Sequence, residues 1–329
     1  MNVRRRLIPA ALASALGLGA LTACSSDSAA TGNTDKFDVV ASFYPMAFLA
    51  EQIGGDHVNV TSLTAPGQEP HDLEISTQQR AQLEEADAAL FLKGLQPAVD
   101  EAVAQTGIET KIDAAGLTRL EDHGTGGHAH EGEEEGHAGE EGHAGEEGHA
   151  GEEEEHGRDP HVWLDPVKYA EIAQGVGKAF EKADPDHAAD YEKNTAALVE
   201  KLNALDGDFE SGLKNTKSKV FFTNHAAFGY LAERYGLTQE AISGMDPESE
   251  PSAARVKELQ QEAKADGVTT VFYETLVSDK TAKTLARDAN LKTDVLDPLE
   301  GITGKSRGDD YFEVMESNLK ALQTALGAK

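Results

Sequence analysis

Seven histidines, His123, His128, His130, His137, His143, His149 and His156, stand within a run of glutamates and glycines that includes three consecutive copies of Gly-His-Ala-Gly-Glu-Glu. A segment so poor in apolar side chains cannot bury enough surface to fold, so these histidines serve something other than packing. Imidazole is a good ligand for zinc, copper and nickel, and a flexible string of them can gather a metal without a preformed cage. A solvated acidic spacer needs no histidine at all. The tract points to a transition metal and leaves open what is done with it.

Five histidines lie outside the tract. His57, beside Gly54-Gly55-Asp56, and His187, at the start of a helical stretch, read as surface positions. The other three have more telling surroundings. His71 ends a turn-rich loop, Ala65-Pro66-Gly67-Gln68-Glu69-Pro70, directly after a β-branched run. His161 sits in Asp159-Pro160-His161-Val162-Trp163-Leu164-Asp165-Pro166, a stiff loop leading into a helix. His225 follows another strand-like run in Thr223-Asn224-His225-Ala226-Ala227-Phe228-Gly229-Tyr230. Any one of them alone would read as a hydrogen-bonded loop histidine; beside the tract, metal binding is the stronger reading. A fourth ligand should be an oxygen donor in an equivalent place. Asp297 qualifies, since it follows a strand-like run and precedes Pro298, although Asp-Pro is also a common turn former. Glu69 and Glu274 are the alternatives. Three imidazoles and one carboxylate at about 2.0–2.2 Å make a tetrahedral site suited to zinc. A second carboxylate in place of one imidazole would favour harder ions such as manganese, so metal identity turns on His225.

These side chains need elements to hold them. Val39–Phe43, Val58–Leu63 and Ala88–Leu92 read as strands, with helices at Pro45–Ile53 and Thr77–Ala86. After the tract, Pro166–Ala183 reads as a helix, and His187–Leu213 as a longer one opened by Asp184-Pro185. At 1.5 Å per residue the longer helix would run about 40 Å, enough to span two lobes. Strands are then expected at Lys219–Thr223, Thr269–Tyr273 and Thr293–Leu296, with helices at Ala226–Tyr235, Ser252–Ala265, Asp279–Ala289 and Tyr311–Leu326. This is an α/β chain of two lobes, each a mostly parallel sheet flanked by helices, joined by one long rigid helix and interrupted by a disordered His/Glu-rich loop. The expected divisions are an N-terminal lobe over 37–185 with the low-complexity loop at 121–157, the connecting helix over 186–215 and a C-terminal lobe over 216–329. Ligands of such folds sit beyond the carboxyl ends of the strands.

Formal net charge is −30, and 14 of the carboxylates fall between Glu121 and Glu155, so the remainder still carries about −16. That surface repels nucleic acid and anionic lipid headgroups and favours cations, which sets nucleic-acid binding aside. Arg4-Arg5-Arg6, an apolar stretch from Leu7 to Ala20 and Leu21-Thr22-Ala23-Cys24 form a secretory signal over 1–23, too short and wrongly flanked for a permanent membrane span. The Leu-Thr-Ala-Cys tetrapeptide resembles a bacterial lipobox, which implies lipidation at Cys24, stable anchoring by several acyl chains and an extracytoplasmic location on the cell membrane. Residues 24–36 are small and polar, a flexible tether. Cys24 is the only cysteine, so the folded body has neither a disulfide nor a thiolate ligand.

The loop through His71, the Asp-Pro-His-Val-Trp-Leu-Asp-Pro and Asn-His-Ala-Ala-Phe-Gly-Tyr segments, and Leu296-Asp297-Pro298-Leu299-Glu300-Gly301 together resemble the metal-receptor solute-binding proteins of ABC importers, in their zinc-uptake (ZnuA-like) branch. Gly244-Met245-Asp246-Pro247-Glu248-Ser249-Glu250-Pro251-Ser252 and Phe272-Tyr273-Glu274-Thr275-Leu276-Val277-Ser278 match the same wording. Each motif is weak alone; their order is specific, and the likeness runs from Phe37 to the C-terminus. The resemblance implies zinc held between two lobes by His71, His161, His225 and Asp297. Manganese members resemble this pattern with glutamate at the place of His225. A histidine-rich loop between the first two ligand motifs is typical of the zinc branch. Some zinc members carry a cysteine pair in the second lobe, which this chain lacks.

The implied task is capture of zinc outside the cytoplasmic membrane, without catalysis, and delivery to an ABC permease powered by an ATPase, by a monomeric receptor. Asp72 and Asp159 are candidates for orienting an imidazole through its other nitrogen. The tract would act as a low-affinity zinc reservoir or sensor. A zinc hydrolase with Glu69 as base is the rival from another class, but no His-Glu-x-x-His helix is present; a surface adhesin is a third reading with no specific support in the chain. A long stiff connecting helix should keep rearrangements on loading small.

Overall fold

The computed structural model describes residues 36–123 and 158–328. Cys24, the signal segment, the tether, and the tract histidines other than His123 lie outside the described residues.

The first sheet has strand order β2-β1-β3-β4 and is parallel throughout, built from β1 (Phe37–Ala41), β2 (Val58–Ser62), β3 (Ala88–Phe91) and β4 (Thr110–Asp113). The central strands β1 and β3 are apolar because both their faces are covered. Helices α1 (Tyr44–Gly54), α2 (Thr77–Glu85) and α3 (Pro97–Gln105) connect the strands. Ser76 opens α2 with a capping box, its hydroxyl accepting from the Gln79 N–H while the Gln79 side chain accepts from the Ser76 N–H. The second sheet repeats the plan with order β6-β5-β7-β8, from β5 (Val220–Thr223), β6 (Thr238–Ala241), β7 (Thr270–Tyr273) and β8 (Lys292–Val295), again all parallel. Its helices are α6 (Gly229–Arg234), α7 (Ala253–Ala265), α8 (Lys280–Ala289) and the final α9 (Tyr311–Leu326). Among the described residues, no helix is long and apolar enough to cross a membrane.

Between the sheets in sequence run α4 (Pro166–Ala183) and α5 (Ala188–Leu213). Asp165 starts α4 by accepting from the Val167 and Lys168 N–H groups, with Pro166 in the first turn. The 26 residues of α5 extend about 39 Å. Its buried positions, Tyr191, Thr195, Leu198, Leu202, Leu205, Phe209 and Leu213, recur every three or four residues. That spacing gives one continuous apolar stripe. The stripe joins a core shared by β1, α1, α4 and α9. At Gly177 the two long helices approach so closely that a Cβ would lie 2.3 Å from Thr195 Oγ1.

Several elements differ from expectation. Strands β4 (Thr-Lys-Ile-Asp) and β6 (Thr-Gln-Glu-Ala) are polar edge strands whose alternation is too faint to read, and α3 also lies in a stretch assigned no element. The helix expected over Ala226–Tyr235 begins only at Gly229, because Ala226 N–H donates to the Gly244 carbonyl and holds the chain after β5 as a loop. That loop carries His225.

Candidate metal centre

His71 Nε2, His161 Nε2, His225 Nε2 and Glu300 Oε1 converge from segments that follow β2, β4, β5 and β8 respectively. Glu300 Oε1 lies 3.2 Å from His71 Nε2, 3.3 Å from His161 Nε2 and 3.2 Å from His225 Nε2, and the last two nitrogens are 3.3 Å apart. A tetrahedron around zinc with bonds of about 2.0–2.1 Å has edges of about 3.3–3.4 Å. The four measured edges therefore match a coordination polyhedron closely. The His161, His225 and Glu300 side chains are fully buried, while His71 retains a little exposure and supplies the outward corner.

Each corner is held in place. His161 Nδ1 donates to Asp159 Oδ1 at 2.8 Å, and the same oxygen accepts the His161 backbone N–H. His225 Nδ1 donates to Glu274 Oε1 at 2.6 Å, with the His225 N–H directed at that oxygen too. Both rings are thereby fixed with Nε2 facing the cluster, the arrangement in which a carboxylate orients a metal-bound imidazole. The Thr223 hydroxyl and the Gln239 amide both donate to the His225 carbonyl and lock its loop. Glu69 accepts from the His71 and Asp72 N–H groups and so caps the loop that presents His71. Trp163, immediately beyond His161, donates its indole N–H to the Pro298 carbonyl, and Tyr311 donates to the Trp163 carbonyl. The first bond clamps the His161 loop to the segment that ends in Glu300, and the second ties it to the start of α9.

The cluster calls for a cation. If His161 and His225 are neutral with protons on Nδ1, their buried Nε2 lone pairs face each other at 3.3 Å. Burial opposes a charged His225, but Glu274 and Glu300 outweigh it and hold its pKa well above the ordinary histidine range. His161 is raised too, its burial overcome by hydrogen bonds to Asp159 and Glu300. Burial alone would raise Glu300, yet the facing His225 and the hydrogen bonds from His161, His225 and His71 pull it well below the carboxylate range. The same carboxylates that favour protonated rings would favour a cation at this centre. Glu300 Oε2 is buried without a hydrogen-bond partner, the sort of orphaned acceptor that a metal ion would satisfy.

Of the four ligands expected from sequence, the structure brings together His71, His161 and His225, and it places Glu300 rather than Asp297 beside them. The Asp297 carboxylate is spent on its own turn: Oδ1 accepts from the Leu299 N–H and Oδ2 from the Thr275 hydroxyl. That turn carries Leu299 at φ 60° and swings Glu300 into the cluster. Sequence reasoning passed over Glu300, although it stands three residues further along the same loop; the tendency of Asp before Pro to cap its own turn was the available signal. Glu274 and Asp159 lie behind the rings and orient them. Glu69 Oε1 lies 3.9 Å from His71 Nε2, outside the converging group. Asp72 is exposed, and among the described residues no imidazole contacts its carboxylate. His123 is not a free member of the tract: its ring packs edge-on against Tyr230 and contacts Asp159 and Glu233. His57 and His187 stack on each other, partly exposed.

This chain is similar to known proteins. The family model of the zinc-uptake complex component A, periplasmic, matches residues 39–325. The zinc-binding lipoprotein AdcA of Streptococcus pneumoniae is 38% identical over 319 residues, covering 92% of this chain. The chain spans only 58% of that relative's length. The high-affinity zinc uptake system protein ZnuA of Bacillus subtilis is 36% identical over 330 residues, covering 95% of this chain and 98% of its own. Among solved structures, the Zn(II)-bound ZnuA-like domain of Streptococcus pneumoniae AdcA superposes with a TM-score of 0.69 at 35% identity, over 88% of this chain and 99% of that domain.

Proposed function

Since the chain belongs to the family of the periplasmic component A of zinc-uptake complexes, we propose that it captures Zn(II) outside the cytoplasmic membrane and passes it to an ABC permease driven by a cytosolic ATPase. The observation that carries this reading is the buried His71–His161–His225–Glu300 group with the edge lengths of a zinc tetrahedron. Zinc is the cargo. Its four positions are all filled by protein side chains, whereas a catalytic zinc keeps one open for water or substrate, so the geometry favours a receptor over a hydrolase. The third imidazole, from His225, favours zinc over harder ions such as manganese. Ligand imidazoles must shed their Nε2 protons to bind, so loading releases protons.

The receptor acts as a monomer tethered through a lipidated Cys24, a reading supported by the lipobox-like sequence and by the lipoprotein name of the pneumococcal relative. The tract beyond His123 collects zinc weakly, on the strength of its composition. The test is a chelator competition on chain lacking residues 1–24, with zinc and manganese, beside His225→Glu. We expect one tight zinc per chain, a large preference over manganese, and a narrowed preference in the variant. A wild-type protein that prefers manganese, or that turns over ester, phosphate or peptide substrates, would overturn the reading.

A further inference from the structure

Asp159 serves two histidines at once. Its Oδ1 orients His161, and its Oδ2 accepts from His123 Nδ1 at 2.8 Å. His123 therefore has the wiring of His161 and His225: Nδ1 on a carboxylate, Nε2 directed outward at further carboxylates. Here Nε2 meets Glu233 Oε2 at 2.9 Å, and one oxygen of Glu121 lies within 4.8 Å of both.

The seat for His123 is built. A Cβ at residue 229 would lie 2.5 Å from His123 Cγ and 2.8 Å from Asp159 Oδ2, so only glycine leaves room for the ring. Tyr230 packs on the ring, accepts the Glu121 N–H, and donates its own hydroxyl proton to the Asp159 carbonyl. Asp159 N–H donates to the Glu121 carbonyl, closing the neck from which the histidine-rich segment departs. Burial disfavours a charged His123, but its hydrogen bonds to Asp159 and Glu233 outweigh that and raise its pKa. With carboxylates at both ring nitrogens, the contacts are satisfied either by a doubly protonated ring or by a metal on Nε2.

We propose that Glu121, His123 and Glu233 form a second divalent-metal site, separate from the tetrahedral centre and independent of the other six tract histidines. Its ligand is a borderline ion such as Zn(II) or Co(II), because the donors are one imidazole and two carboxylates. The Glu233 side chain is 58% exposed and that of Glu121 32%, so water completes the coordination and the site is weaker than the buried centre. Lys168 Nζ, 3.1 Å from Glu121 Oε1, is the resident counter-cation that an incoming metal displaces or shares with.

The test uses the full chain with the six histidines between residues 124 and 157 changed to asparagine, titrated with zinc chloride under equilibrium dialysis. We expect two ions per chain, the second at least about tenfold weaker than the first. Glu233→Gln, at an exposed position that spares the fold, should remove the second ion and leave the first; His123→Gln should do the same. Ring nitrogen NMR should show the His123 Nε2 resonance moving only with the second equivalent. One ion per chain in the parent, or a second ion indifferent to both substitutions, would overturn the proposal. Failure of the buried centre would register separately, as loss of the ion that Glu300→Gln weakens.

Discussion

Replacing Glu300 with glutamine separates the two carboxylates of the Asp297–Glu300 loop. Glutamine keeps an oxygen donor at the corner shared with three Nε2 atoms but removes the only anionic ligand of the group. Apparent binding free energies of four-ligand zinc sites are roughly 10–16 kcal/mol, so a ligand carries about 3–4 kcal/mol. Keeping the oxygen while losing the charge should forfeit about half of that. At 1.4 kcal/mol per tenfold, zinc should bind about 10- to 30-fold more weakly. Asp297→Asn should behave differently. Its amide can accept only one of the two hydrogen bonds that the carboxylate takes from Leu299 and Thr275. The Thr275 hydroxyl must turn to accept from the new amide nitrogen, and exchanging charged for neutral hydrogen bonds should cost about 1 kcal/mol of stability. Zinc affinity of the folded protein should stay within about threefold, since a coordination bond is worth far more than that. Competition against a chromophoric chelator at neutral pH reads the affinity; thermal unfolding of the metal-free chains reads the stability. If Asp297→Asn weakens zinc as much as Glu300→Gln does, or if Glu300→Gln changes nothing, the assignment of the fourth corner is wrong.

Other expectations follow from the same geometry. Glu274→Gln keeps an oxygen for the His225 Nδ1–H but removes the carboxylate charge behind the ring, and should weaken zinc about tenfold or more without changing the 1:1 stoichiometry, measurable by calorimetry. In the metal-free protein, the raised His161 and His225 contribute stability that is complete below the unfolded histidine range, about 6.5, and is lost as pH rises through their higher folded values. Glu300, held low, contributes above the unfolded carboxylate range, about 4.3, and loses that contribution only as pH falls through its depressed value. The metal-free Tm should therefore decline on the alkaline side, while the zinc-induced rise in Tm grows there; a zinc-induced rise that shrinks with increasing pH would contradict the proton-for-metal exchange. Gly177→Ala drives a Cβ against Thr195 and should destabilise the α4–α5 contact by about 1–3 kcal/mol; an unchanged melting curve would show that the helices part without cost.

The architecture was largely legible in the chain because its central strands are short apolar runs and its long helix carries an unbroken stripe from Tyr191 to Leu213. The polar edge strands β4 and β6 escaped notice because an edge strand is specified by its neighbour's hydrogen bonds rather than by its own hydrophobicity. The three imidazole corners could be picked out because His71 and His225 follow strands and His161 lies in a proline-bounded loop. Glu300 could not be picked out by that rule. Its direction depends on the Asp297 turn and the left-handed backbone of Leu299, which a count of residues past the strand end does not register. His123 likewise looked like one more tract histidine, since its distinguishing partners, Asp159, Gly229 and Glu233, lie far away in sequence.

The most direct check on the buried centre is anomalous diffraction at the zinc edge from crystals of the chain loaded with one equivalent of zinc. We expect a single dominant peak about 2.0–2.1 Å from His71 Nε2, His161 Nε2, His225 Nε2 and Glu300 Oε1, with Asp297 still hydrogen-bonded to Thr275 and Leu299. A peak bound by Asp297, or one lying away from these three imidazoles, would contradict it.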